Sequence, residues 1–325
     1  MIQLIRTSLL LAAFLLPCAD GLRGAEDTVV ASDGSGQFRS IQEAVSAAPI
    51  TGLGRAWVIA VRPGIYRERV YVQRERGDIV LRGSNPETTI LTSSLYAGMA
   101  GPDGKPIGTF RTPTLQVDGD GYRVEGLTIA NAAGPVGQAV AVRVDGDRVS
   151  FSNCRLLGWQ DTVLVNRGRH YFTRCYIEGH IDFIFGGATA FFDHCEIHCL
   201  GNGYITAAST PAGVAHGMVF ADCRISGAHW ARAYLGRPWR DHARVEFLRT
   251  YMSDTVIPSG WDDWGRQVTH QTAMFAEFES SGPGVQWGAR VPWSRRLSIR
   301  EASEISADLV LGGSDGWRPA SAPAP

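Results

Sequence analysis

At 325 residues the chain can hold one large domain or two ordinary ones, and its 44% hydrophobic and 19% charged residues are those of a globular protein. A formal net charge of −1 argues against an electrostatic nucleic-acid binder. With 38 glycines and few long amphipathic patterns, the composition favours a β-rich, turn-rich fold.

The chain opens on a targeting pattern. Arg6 supplies a positive start, and the apolar run from Leu9 to Leu16 is too short to span a bilayer. Ala19-Asp20-Gly21 offers the best small-residue cleavage site, so residues 1–21 read as a signal peptide. Lipidation of Cys18 is the rival reading, which Pro17 disfavours. No later apolar stretch is long enough to be transmembrane, and the expectation is a secreted or periplasmic protein. Five of the six cysteines remain after the signal. That odd count suits buried thiols better than a disulfide framework, with one bridge involving Cys199 as the alternative.

Val29 to Gly36 reads as a strand closed by the turn Asp33-Gly34-Ser35-Gly36. Ser40-Ile41-Gln42-Glu43 has capping-box spacing and opens a short helix that Pro49 stops. Short apolar or β-branched runs follow: Trp57 to Val61, Tyr66 to Val72, Ile79 to Leu81, Thr88 to Leu91, Tyr122 to Ala130 and Ala139 to Val144. Then one phrase repeats: Ser152-Asn153-Cys154-Arg155-Leu156, Thr173-Arg174-Cys175-Tyr176-Ile177, Asp193-His194-Cys195-Glu196-Ile197 and, after a longer gap, Ala221-Asp222-Cys223-Arg224-Ile225. Strands that advance by about 20 to 25 residues per repeat without helices between them are the signature of a parallel β-helix. An antiparallel sandwich would explain the strands but not the phrase. The helix near residue 40 would cover the open N-terminal end of the coil. Past Trp261 the sequence becomes turn-rich and aromatic, Leu297 to Leu311 carries a helical segment, and residues 320–325 form a Pro/Ala tail expected to be disordered. Residues 22–319 thus read as one domain.

Asp161 and Asp182 are separated by the same interval as Cys154 and Cys175. Neighbouring parallel strands sit about 4.8 Å apart, so the two carboxylates stack across one turn of the coil. Gln138 and Gln160, spaced almost identically, would stack beside them. Two such carboxylates repel when both are ionised, and one tends to keep a proton. One then serves as nucleophile and the other as general acid, with the amide N–H groups as an oxyanion hole. Taken alone, Asp161 is as easily a turn residue. Asp182, directly before Phe183-Ile184-Phe185, needs a partner if buried, and Arg237 is a candidate that spacing alone does not establish.

In combination these residues resemble the pectin methylesterases, or pectinesterases, in particular the secreted bacterial type. The resemblance runs from Val30-Ala31-Ser32-Asp33-Gly34-Ser35-Gly36 to Arg290-Val291-Pro292-Trp293. Between them stand Gly64-Ile65-Tyr66-Arg67-Glu68, Gln138-Ala139-Val140-Ala141, Gly158-Trp159-Gln160-Asp161-Thr162, Asp182 to Gly186, and Leu235-Gly236-Arg237-Pro238-Trp239. The resemblance implies an all-β, single-stranded right-handed parallel β-helix that hydrolyses the methyl esters of galacturonate units in pectin. It implies that Asp182 attacks the ester carbonyl, Asp161 is general acid and then base, Gln138 and Gln160 stabilise the oxyanion, and Arg237 orients Asp182. Trp239 would stack on a sugar ring, and Thr109, Phe185 and Trp261 are further expected substrate contacts. Neither metal nor organic cofactor is expected, and the protein is expected to act as a monomer on pectin. Val163-Leu164, Trp159 and Asp263 depart from common family residues and bear on substrate preference more than on the reaction.

Three other functions fit the same residues less well. Paired carboxylates about 5 Å apart also suit a retaining glycosidase that cleaves the polysaccharide chain. An esterase or thioesterase on another substrate, or an inactive carbohydrate-binding homologue, would reuse the scaffold. His194, Cys195, His198 and Cys199 mimic a metal site, but alternation along a strand turns the histidines and cysteines to opposite faces. His180 reads as a substrate-side contact more than a catalytic base.

Overall fold

The computed structural model describes residues 26–50 and 54–319. The signal peptide, its Cys18 and the tail at 320–325 lie outside the described residues. No helix among the described residues is long and apolar enough to cross a membrane.

All pairings between the strands are parallel, which excludes the sandwich. One sheet of eleven strands runs from Thr28–Val30 to Arg295–Arg296. A second, of thirteen strands, begins as two ranks. Gly64–Arg67, Thr89–Ser93, Thr128–Asn131 and Arg155–Leu157 form the first rank, and Val70–Val72, Leu115–Val117, Val142–Val144 and Val163–Val165 the second. Both ranks merge in the long strands Tyr176–Gly186 and Glu196–Ala208. The chain therefore winds through three faces per coil, a β-helix, and parallel crossovers of this kind are right-handed.

The register reproduces the sequence interval. Val142 pairs with Val163 and Val163 with Ile184, each step equal to the spacing of the two aspartates, and Tyr176 pairs with Glu196, a step shorter by one. The repeated phrase has a backbone cause: Asn153, Arg174, His194 and Asp222 all stand at φ of 50–53°. That left-handed residue turns the chain from one face to the next and drops the following cysteine into the interior. Arg249 and Glu279, at φ 46° and 45°, repeat the turn in later coils without a cysteine to mark it. Cys154, Cys175, Cys195, Cys199 and Cys223 are buried free thiols, so the alternative of a bridge at Cys199 is not realised.

Inside the coil, identical positions stack. The rings of Phe151, Phe172, Phe192, Phe220 and Phe247 follow one another at 4.8, 4.6, 4.4 and 4.5 Å. Removing the central ring of such a column leaves a cavity between two partners. Phe192→Ala is expected to destabilise the protein by about 3–5 kcal/mol, read as a lowered midpoint in denaturant unfolding.

The helix Ile41–Ala47 buries Ile41, Ala44 and Val45 against the first coils, as expected of a cap. Its N-terminus is held differently from the sequence expectation. Ser40 accepts the Glu43 N–H, but the carboxylate that satisfies the free N–H groups belongs to Glu68, which accepts from Ile41 N (2.8 Å), Gln42 N (3.0 Å) and Ser40 Oγ (2.6 Å). The C-terminal segment forms two short helices, Ile299–Ser303 and Ala307–Leu311. They lay Ala302, Ala307 and Leu311 over the outer face of the first sheet, on Tyr171, Phe191, Val219 and Leu248.

Candidate active site

The two ranks of the second sheet meet along an edge, and one position recurs there in coil after coil. Two residues before a strand of the second rank stand Glu68 (before Val70), Asp161 (before Val163) and Asp182 (before Ile184). Tyr204 takes the same place before Thr206, the partner of Ile184. Asp161 N–H donates to Ile181 O at 3.1 Å, which ties the two acidic coils together at this point. Both aspartates adopt left-handed backbone, at φ 65° and 50°. Asp tolerates that conformation better than most residues, and such strain concentrates at functional sites. Both are nonetheless nearly buried, at 8% and 7% exposure.

Their environments differ. Asp182 receives two parallel hydrogen bonds from Arg237, Nε to Oδ1 at 2.8 Å and Nη2 to Oδ2 at 2.7 Å, the geometry that fixes a carboxylate and favours its charge. Arg237 arrives through the strand Ala233–Pro238, where it pairs with Ala207. Its guanidinium lies between the Tyr204 ring at 3.8 Å and the Trp264 ring at 3.6 Å. Asp262 holds that clamp. Its N–H donates to Gly236 O (3.1 Å) and its Oδ1 accepts from Trp264 N (2.7 Å). Among the described residues the Asp161 carboxyl has no hydrogen-bond partner.

Burial, and then the charge of Asp182, push Asp161 up to about 8, against the pull of Arg237. Burial raises Asp182 as well, and its bonds to Arg237 oppose that rise. Near neutral pH the site therefore holds one protonated and one ionised carboxyl group, in fixed order.

Beside the acids, Gln138 and Gln160 form a parallel backbone bridge, and Ala139 N–H donates to Gln160 O at 3.1 Å. Neither side-chain amide is used by another described residue. Gln138 is exposed and Gln160 half-buried, so their N–H groups are available to a ligand.

A family profile described as Pectinesterase matches residues 27–313. The chain belongs to the pectinesterase family. Pectinesterase 31 of Arabidopsis thaliana is 41% identical over 283 residues, which span 85% of this chain and 89% of that protein. Putative pectinesterase 11 of the same plant is 38% identical, over 90% of this chain and 80% of the relative. Among solved structures, the pectin methylesterase from carrot superposes with a TM-score of 0.84 at 30% identity, covering 91% of this chain and 96% of the carrot enzyme. The pectin methylesterase PemA from Erwinia chrysanthemi gives 0.79 at 28% identity, covering 91% and 99%. These relatives are plant and bacterial alike, so they do not single out a bacterial type.

Other residues of this pectinesterase stand as follows. Trp239 packs on Phe185 (5.8 Å between ring centres) and, with Val140, Leu164 and Ala207, closes an apolar patch on the outer surface of the coil. Phe185 is 4% exposed, so it supports Trp239 and offers a ligand little surface itself. Thr109 begins the short helix Thr109–Arg111 in a loop whose Ala97 N–H donates to Gln138 O at 2.8 Å. Trp261 does not reach the cleft, contrary to expectation. It is 1% exposed, extends the interior aromatic column between Phe247 (5.9 Å) and Phe275 (4.5 Å), and donates its indole N–H to Glu277 at 3.3 Å. The column demanded an aromatic ring there, and Glu277, paired with Arg290, supplied the acceptor a buried indole needs.

His180 sits edge-on to Trp159 at 5.5 Å and bonds neither aspartate. The supposed metal ligands do not converge. His194 is exposed and bonds Asp193 (2.6 Å), His198 bonds Ser226 (2.9 Å), and both cysteines are interior. Sequence reasoning missed Tyr204 and Asp262. The interval was the available signal for Tyr204, which follows Asp182 at nearly the spacing that separates the two aspartates. Asp262 carried none, because a loop brings it in.

Proposed function

We propose that the acid pair of this pectinesterase divides the hydrolysis of galacturonate methyl esters in pectin into two steps. Asp182, ionised and held by Arg237, attacks the ester carbonyl carbon. The oxyanion that forms takes hydrogen bonds from the Gln138 and Gln160 amides. As it collapses, the C–O bond to the methoxy group breaks, and Asp161 gives its proton to the leaving oxygen, releasing methanol. The acyl group is then on Asp182. Asp161, now a carboxylate, takes a proton from water, which attacks the acyl carbon and restores Asp182 as a carboxylate and Asp161 as an acid. The observation that carries this reading is the unequal pair: one carboxyl raised to about 8 with no hydrogen-bond partner among the described residues, the other doubly bonded to an arginine. Trp239 offers a sugar ring an apolar face.

One chain supplies every group named, which supports action as a monomer. The pattern from Arg6 to Gly21 supports export to the compartment where pectin lies, with residues 22–319 as the mature catalytic domain. Highly methylated pectin is the substrate to test. Methanol should appear without new reducing ends, and reducing ends without methanol would replace the esterase with a glycosidase.

Tyr204 and Trp264 act through Arg237. Trp264→Ala is expected to lower kcat about tenfold, the worth of one well-packed cation–π contact, with a smaller change in KM. Trp264→Phe should restore most of the loss. Steady-state methanol release measures both.

A further inference from the structure

We propose that Asn131 is a positioning residue for the oxyanion hole, its buried side-chain amide tying together the two loops that fix Gln138. The inference rests on the reading that the Gln138 amide serves the oxyanion.

Gln138 depends on its backbone for its aim, because its side chain is exposed and bonds no described residue. The chain leading to it has little support of its own. Residues 134–137 make no hydrogen bond to described residues outside that stretch, Gly134 and Gly137 stand at φ 81° and 116°, and Val136 is 52% exposed. On one side Gln138 is held by its backbone bridge to Gln160. On the other, its carbonyl accepts the Ala97 N–H at 2.8 Å. Ala97 belongs to a second loop, residues 94–114, between the strands Thr89–Ser93 and Leu115–Val117.

Asn131 joins the two loops. It ends the strand Thr128–Asn131, pairs with Ser93 across the sheet, and is 4% exposed. Its Oδ1 accepts the Ala133 N–H at 3.1 Å, where the loop toward Gln138 starts. Its Nδ2 donates to Val140 O at 3.0 Å, which closes that loop just past Gln138. The same Nδ2 donates to Leu95 O at 2.8 Å and lies 3.4 Å from Thr112 O, near the two ends of the second loop. Thr112 repeats the tie, its Oγ1 accepting the Val140 N–H at 3.0 Å. Three carbonyls around Nδ2 and one N–H before Oδ1 leave the amide a single orientation. Buried, and bonded to neither aspartate, Asn131 can affect turnover only by placing groups on these loops. An oxyanion donor must lie within hydrogen-bond range of the developing charge, so a shift of about 1 Å at Gln138 would slow the reaction.

The test is a double-mutant cycle on methanol release from highly methylated pectin. Asn131→Ala, Gln138→Ala and the two together are each assayed well below their thermal midpoints. Gln138→Ala should lower kcat about a hundredfold, the worth of one oxyanion donor. Asn131→Ala should lower kcat about ten- to a hundredfold by misplacing that donor, with KM within about twofold of wild type. The two losses should not add: the double variant should turn over within about threefold of Gln138→Ala alone. Asn131→Asp keeps the shape and the acceptor for Ala133 but loses both N–H donors, so it should repeat the loss. An equal loss from Asn131→Ala in both backgrounds, or a kcat it leaves unchanged, overturns the inference and leaves the oxyanion reading standing. If neither Asn131 variant folds, the residue serves the scaffold and the inference also falls. A kcat unchanged in Gln138→Ala overturns the oxyanion reading, and the inference with it.

Discussion

Replacing Asp182 by alanine is expected to reduce methanol release about ten-thousand-fold or more, because the group that forms the covalent bond is gone and the remaining parts act as a unit with it. The effect should fall on kcat, since the apolar patch of Trp239 and the Gln138 and Gln160 amides remain in place to bind the chain. The substitution also strands the Arg237 guanidinium between Tyr204 and Trp264 without its anion, and losing one member of a buried pair costs about 3 kcal/mol or more. Asp182→Asn separates the two effects. It keeps the shape and an acceptor for Arg237, so it should be better folded than Asp182→Ala and equally inactive. A folded Asp182→Asn with near wild-type turnover would remove Asp182 from the mechanism.

Asp161→Asn is expected to lower kcat about a hundred- to ten-thousand-fold, the range of a positioned acid–base group. The pH dependence gives the sharper reading. Acid catalysis of methanol departure needs Asp161 protonated, and its carboxyl is raised to about 8. In the wild type kcat/KM should therefore hold through neutral pH and fall as pH rises past about 8, where the proton is lost. An asparagine has no proton to lose there, so the residual activity of Asp161→Asn should show no such fall. If the alkaline limb survived in the variant, another group would be responsible for it.

The sequence interval carried the fold and the acid pair together because one register governs both. Asp161 and Asp182 keep the spacing of Val163 and Ile184, so a repeat visible in the cysteines also located the carboxylates. The repeat became illegible where coils lengthen or lose their cysteine. The step from Asp193 to its partner Ala221 is longer than those before it, because the turn at residues 209–217 is long. Arg249 and Glu279 keep the left-handed turn with Thr250 and Ser280 after it. Trp261 was misplaced for a related reason. A tryptophan suits a sugar-binding cleft and an interior column equally, and only the packing of the fold, which sets it between Phe247 and Phe275, assigns it to the column. Trp264, three residues on, lies at the site instead, over the Arg237 guanidinium. Glu68 shows the same limit: capping-box spacing predicted a reciprocal cap between Ser40 and Glu43, and Ser40 does accept the Glu43 N–H, but the carboxylate half comes from Glu68, far beyond Ser40 in sequence. Spacing alone did not give the protonation order of the acids; only the resemblance implied Asp161 as the acid and Asp182 as the attacking carboxylate. That order depends on which aspartate Arg237 reaches, and Arg237 is distant from both in sequence.

That protonation order is the centre of the account, and it can be observed without turnover. Infrared difference spectra between the wild type and Asp161→Asn isolate the carboxyl stretch of Asp161. The account predicts a protonated-acid band at mildly acid pH that disappears with a midpoint of about 8. A carboxylate already ionised at mildly acid pH would contradict it.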